Sequence, residues 1–256
     1  MSLFNKMLAS VGIGSATVDT KLDKSRYTAG EMIRGNVEIT GGNTAQDVDC
    51  IYLTLYTTYI REANDRKYTD TAAICRFQVS EPFTIGAGEK KSIPFSFELP
   101  YTTPITAGQT RIWVQTELDI KMAVDPTDKD FIEVTASPLA NEVLGAVKRL
   151  GFRLREVECE KAPFSLRTPH VFIQEFEFTA TNATYRRRLD ELEVTFINQS
   201  ADHVEVLLQI DRRARGLGGF LSEALEMDES LVRLTFTDRD VMSIESTLKQ
   251  TIERYM

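Results

Sequence analysis

From Thr17 onward the chain alternates apolar and polar residues with a period of two, in segments closed by glycine, proline and other turn formers. Ile33, Gly35, Val37 and Ile39 face away from Arg34, Asn36, Glu38 and Thr40 before Gly41-Gly42 ends the run. Ile51, Leu53 and Leu55 alternate with Tyr52, Thr54 and Tyr56 on the way to Tyr59, and Ile93, Phe95, Phe97 and Leu99 repeat the pattern before Pro100. The longest such segment sets Ile112, Val114, Thr116, Leu118, Ile120 and Met122 against Trp113, Gln115, Glu117, Asp119 and Lys121. A strand with one apolar side buries that side and leaves the other to water, which predicts antiparallel sheets stacked face to face.

The period breaks in three places. In the first eleven residues Leu3, Phe4, Met7, Leu8 and Val11 fall at helical spacing, and Gly12 and Gly14 follow as a stop. Between Ser137 and Ala162, Pro138 opens an apolar stretch with Val143, Leu144 and Val147, read as a linker and a short helix. Near the end, Val241, Ile244, Leu248, Ile252 and Tyr255 recur at three- and four-residue steps after Asp238 and Asp240, two residues suited to capping a helix. Strands fill the ground between: Phe172 to Phe178, Leu192 to Phe196, Val204 to Ile210 and Val232 to Phe236. The pattern predicts an all-β chain of two antiparallel β-sandwiches with short N-terminal and C-terminal helices, divided as residues 1–136 and 137–256.

Composition narrows the function. Lys and Arg number 30 against 38 Asp and Glu, so the formal charge of -8 opposes general attraction to nucleic acid. The three cysteines, Cys50, Cys75 and Cys159, are widely spaced and form neither a disulfide framework nor a zinc motif. No apolar run approaches a membrane span and no secretory signal opens the chain, which places the protein in the cytoplasm with membrane contact at most peripheral. With only His170 and His203 there is no HExxH motif, and neither a nucleophile elbow nor a phosphate-binding loop is present, so no catalytic residue and no cofactor are assigned. Glu191 and Glu193 share one side of a strand, where alternation predicts a solvated face.

Two short segments carry chemistry that a ligand could use. Asp125, Asp128 and Asp130 lie in an acidic stretch whose carboxylates suit a hard cation, although the glycine and terminal glutamate of a calcium loop are missing and a solvated turn at Pro126 serves equally well. Arg215, Gly216, Gly218 and Gly219 follow a strand and precede a helical pattern, an arrangement whose backbone amides suit an anion.

The segments Tyr27 to Val37 and Ile93-Pro94-Phe95-Ser96-Phe97-Glu98-Leu99-Pro100 resemble the N-terminal sandwich of arrestins. The opening Phe4 to Gly14, the stretch Gln174-Glu175-Phe176-Glu177-Phe178, the run Arg188 to Val194 and the run Asp211 to Leu217 resemble the bacterial sporulation-control proteins of the stage-zero M type, from Phe4 to about Glu226. That resemblance implies regulation of a developmental or stress response through protein contacts, with regulatory or cytoskeletal proteins or a second copy as partners. It also implies a network of buried charges or a partner surface, for which Arg186, Arg187, Arg188, Asp190, Asp211, Arg212 and Arg213 are the candidates. The rival readings are a ligand- or metal-responsive protein and a peripheral membrane or cytoskeletal adaptor.

Overall fold

The computed structural model describes residues 14–64, 66–120, 125–166, 168–189, 191–211 and 231–256. The N-terminal helix expected over the first eleven residues lies outside them. The strands in chain order are β1 (Thr17–Leu22), β2 (Arg26–Thr28), β3 (Met32–Thr40), β4 (Gln46–Ala63), β5 (Arg66–Gln78), β6 (Phe83–Ile85), β7 (Lys90–Glu98), β8 (Ile112–Ile120) and β9 (Thr127–Thr135). They continue through β10 (Phe152–Lys161), β11 (Phe172–Ala180), β12 (Glu191–Gln199), β13 (His203–Asp211) and β14 (Leu231–Thr237). Three α-helices punctuate this all-β order among the described residues: α1 (Pro138–Arg149), α2 (Ala183–Arg186) and α3 (Ile244–Tyr255).

In the first half, the small sheet β1-β3-β7 packs its apolar side onto a second sheet built on β4, β8 and β9. Ile33, Val37 and Ile39 of β3 and Phe95 and Phe97 of β7 meet Ile51, Leu53 and Leu55 of β4 and Val114 and Leu118 of β8, all buried as the alternation predicts. Glycine serves close approach here: a Cβ on Gly35 would lie 2.2 Å from the Lys21 carbonyl oxygen of β1, and Gly30 turns the chain at φ +87°.

The second half places one sheet, in the order β14-β13-β12-β11-β10, against two helices. Ser137 caps α1 by accepting from the Ala140 amide, Pro138 takes the first turn, and Lys148 and Arg149 sit in the last turn beside the unpaired carbonyls. Helix α1 buries Leu139, Ala140, Val143, Leu144 and Val147, and α3 buries Ile244, Leu248 and Ile252, against Phe176, Phe178, Leu192, Val194, Val206 and Leu208. Arg149 reaches Glu142 at 2.5 Å and Glu245 at 2.7 Å, tying the two helices together.

Two expectations shift. Asp240 does not cap α3: its carboxylate accepts from the Thr237 amide at 2.8 Å and closes a short 3-10 turn over Asp238–Asp240, while α3 starts after Ser243. Val241 and Tyr255, read as part of the apolar stripe, are exposed because the contact with α1 uses only the Ile244, Leu248 and Ile252 side.

The two halves join along one sheet. Strand β4 pairs with β8 up to Thr57, runs on to Ala63 as a hairpin with β5, and there meets β10 in parallel, with Glu160 opposite Ile60.

Candidate functional site

One side of the second sheet is apolar and packs on the helices; the other carries a row of carboxylates beside a small apolar cluster of Ile173, Ile197 and Leu207. The register sets Glu158 opposite Glu175, Glu177 opposite Glu193, and Glu193 opposite Gln209, so these side chains stand next to one another across four strands. They are not solvated. Glu177 is 1% exposed, Glu175 4%, Glu191 6% and Glu193 8%.

An isolated buried carboxylate is strongly disfavoured and needs a cation or a proton. Arg155 supplies the cation at one end. Its guanidinium reaches Glu191 at 2.8 Å and also contacts Glu177. The position of Arg155 follows from a β-bulge: Leu154 pairs with Phe178 and Glu156 with Glu177, which leaves Arg155 unpaired between them. A bulge puts an extra residue into one strand and re-aims its side chain. Leu154 and Val157, three residues apart, thus both reach the helix-packed core while Arg155 and Glu158 turn toward the carboxylates.

At the other end the row meets the seam between the halves. The Lys67 ammonium of β5 donates to Glu158 of β10 at 3.0 Å. Glu160 lies opposite Ile173, one pair along the same side of the sheet from the Glu158–Glu175 pair, so Glu160 and Glu175 are diagonal neighbours on β10 and β11. Burial, with the charges of Glu193 and Glu160, pushes Glu175 up to about 10. Burial, with the charge of Glu158, pushes Glu160 up to about 7 against the opposing pull of Lys67.

The reverse side of the seam is pinned by polar contacts. The Gln174 side chain accepts from the Ile105 amide and donates to the Ile105 carbonyl, both at 2.8 Å. Thr102 hydrogen-bonds the His170 Nε2 at 2.9 Å, and the His170 ring stacks on Phe172, which in turn stacks on Tyr59 of β4. Burial lowers the His170 pKa, favouring the neutral ring. Beside the junction a cleft of about 380 Å³ is lined by Thr58, Tyr59, Ile60, Arg111, Glu158 and Cys159.

The residues singled out from sequence fall elsewhere. Arg186, Arg187 and Arg188 are exposed, at the end of α2 and just after it, so the buried charge of this half is built on Arg155 instead. Asp211 ends β13 opposite Glu191, with its side chain outside the described set. Asp190, Arg212, Arg213, Arg215, Gly216, Gly218 and Gly219 lie outside the described residues.

The three acidic candidates do not assemble a cation site. Asp125 accepts from the Ile120 amide at 3.0 Å, closing the end of β8. Asp128 accepts from the Thr20 amide of β1 at 2.6 Å. Asp130 follows within β9, and burial next to Asp128 pushes it up to about 6. Backbone amides thus take the lone pairs of Asp125 and Asp128 at separate places, and among the described residues no group of three or more His, Cys, Asp or Glu is arranged to hold a metal ion. No helix among the described residues is long and apolar enough to cross a membrane.

The signal for the carboxylate row was present as Glu175 and Glu177 alternating with Gln174, Phe176 and Phe178, and as Glu191 and Glu193 beside Leu192 and Val194. No local signal marked Arg155.

Comparison with known proteins adds three matches. The model for the family described as SpoOM protein matches residues 4–214. The sporulation-control protein spo0M of Bacillus subtilis (strain 168) is 44% identical over 259 residues, covering 100% of this chain and 99% of that protein. The crystal structure of Spo0M, sporulation control protein, from Bacillus subtilis aligns with a TM-score of 0.88 at 42% identity, covering 95% of this chain and 100% of that one.

Proposed function

The chain belongs to the SpoOM protein family, and on that premise we propose that it is a non-catalytic regulator of bacterial sporulation or stress control that acts by binding other proteins. The observation that carries the reading is the likeness to a sporulation-control protein along the whole of both chains. An arrestin-like mode of action fits this reading: two β halves present loops and sheet edges to regulatory or cytoskeletal proteins, or to a second copy, in the cytoplasm.

One surface feature supports contact with a partner. The loop between β10 and β11 carries Phe164, fully exposed, and Val171, 60% exposed, while Leu166 from the same loop is buried with Ile173, Ile197 and Leu207. An aromatic side chain held in water next to an anchored residue is suited to fill a pocket on another protein.

The test is complementation. The chain, and a Phe164→Ser variant shown to melt at the same temperature, would be expressed in Bacillus subtilis lacking its own spo0M, and heat-resistant spores counted. Restoration by the natural chain and its loss in the variant are expected. A folded, well-expressed chain that leaves spore counts unchanged would overturn the reading.

A further inference from the structure

Glu160 and Glu175 are diagonal neighbours on β10 and β11 with 9% and 4% exposure, and Glu160 Oε1 and Glu175 Oε2 are buried with no hydrogen-bond partner, so the pair can stay buried only if protons offset its charge. Their place matters as much as their pairing. Glu160 is the residue of β10 that lies opposite Ile60 of β4, where the sheet of one half passes into the sheet of the other.

We propose that the Glu160–Glu175 pair makes the junction between β10 and β4 proton-sensitive: protonated, the pair lies neutral in the closed seam, and ionisation of Glu160 favours an opened one. The groups that face the pair from the surrounding strands are Glu158 of β10, Glu193 of β12, Glu62 of β4 and Lys67 of β5. The three carboxylates oppose a further negative charge, and Lys67, its side chain half exposed and already bound to Glu158, offsets only part of that. Burial and the charges of Glu193 and Glu160 hold a proton on Glu175 more firmly than on Glu160, so Glu160 is the member that changes charge near neutral pH.

The sign follows from linkage. The closed seam holds Glu160 at about 7, while an opened seam returns it to the ordinary value of 4.5. Closure is therefore favoured fully at low pH and weakened as pH rises toward 7. Between pH 5.5 and pH 8 Glu160 alone should increase the opening equilibrium roughly 30-fold, and exposure of Glu175, held at about 10 in the closed seam, adds to that increase. The device is independent of which partner the protein binds.

Native-state hydrogen exchange on the full chain tests it, with amide rates corrected for their intrinsic pH dependence. Peptides spanning residues 56–63 and 157–163 should lose roughly 30-fold protection or more from pH 5.5 to pH 8, while peptides of the β1-β3-β7 sheet hold theirs. Glu160→Gln should cut the pH dependence by the Glu160 share, roughly 30-fold, and Glu175→Gln, which leaves Glu160 buried beside Glu158, should retain that share. Lys67→Met, a change at a half-exposed side chain that leaves the fold testable if the other variants misfold, should move the midpoint to higher pH. Equal protection at both pH values, a parallel loss in the β1-β3-β7 sheet, or an unmoved midpoint in Lys67→Met would each overturn the proposal.

Discussion

Replacing Arg155 by Met keeps the length of the side chain and removes its charge, leaving Glu177 and Glu191 without the cation that faces them. Both oxygens of Glu177 and Oε1 of Glu191 are buried with no hydrogen-bond partner apart from this ion pair. Breaking a buried pair by removing one member typically costs about 3 to 5 kcal/mol, because the stranded charge keeps its desolvation penalty. The Arg155 side chain is 46% exposed, so water can enter the space it vacates, and the lower end, about 3 kcal/mol, is the expected loss. Urea denaturation at pH 7.5 reads this as a fall in midpoint of about 1 M. Without Arg155 the two carboxyl groups must take up protons to stay buried, so their folded-state pKa values rise above the ordinary range. The deficit should then shrink below about pH 5 and grow as pH rises. Adding Glu177→Gln and Glu191→Gln to the variant should recover most of the loss. A variant within about 0.5 kcal/mol of the natural chain at pH 7.5 would refute the view that Arg155 neutralises this end of the row.

Gln174→Ala removes both hydrogen bonds to Ile105 and should cost about 2 kcal/mol, seen as a lower urea midpoint and faster exchange of the Ile105 amide; an unchanged exchange rate would show that the pin does not hold the halves together. Burial pushes the Cys75 thiol up to about 11 and the Cys159 thiol up to about 12, while Cys50 is also buried. At pH 8 none of these three should react with a thiol reagent at the rate of a free cysteine until denaturant is added, and prompt labelling of Cys159 in the folded protein would contradict its placement in the seam.

Alternation located the strands that are buried on one side only. Strands β3, β7 and β8 begin and end within three residues of their apolar patterns, leaving aside the part of the last pattern that lies outside the described residues. Strand β10 had no such pattern because its bulge breaks the phase: Leu154 and Val157 both face the core although they are three residues apart. Strand β5 was unread for a different reason. Most of its residues, Arg66 to Asp70 above all, are exposed or half-buried, and it is held by the ladder to β4 rather than by a core face. Asp128 and Asp130 were read as turn residues, yet they belong to β9, whose first half has no apolar partner to bury.

The carboxylate row was legible as a set of residues and not as a buried one. Alternation tells which side of a strand a residue occupies, but whether that side is covered depends on strand order, which long-range pairing decides. Strands β11 and β12 are interior strands of the sheet, so Glu175, Glu177, Glu191 and Glu193 are shielded by neighbours that the local sequence does not reveal. The same physics explains why the arginine run was the wrong place to look for the buried charge. Three adjacent cations repel one another and would each need a buried partner, so Arg186, Arg187 and Arg188 stay in water. A single arginine has five donors in a planar fork and can neutralise two carboxylates at once. An isolated cation at a bulge therefore meets the charge of a buried carboxylate pair at lower desolvation cost than a cluster does, and Arg155 is that residue here.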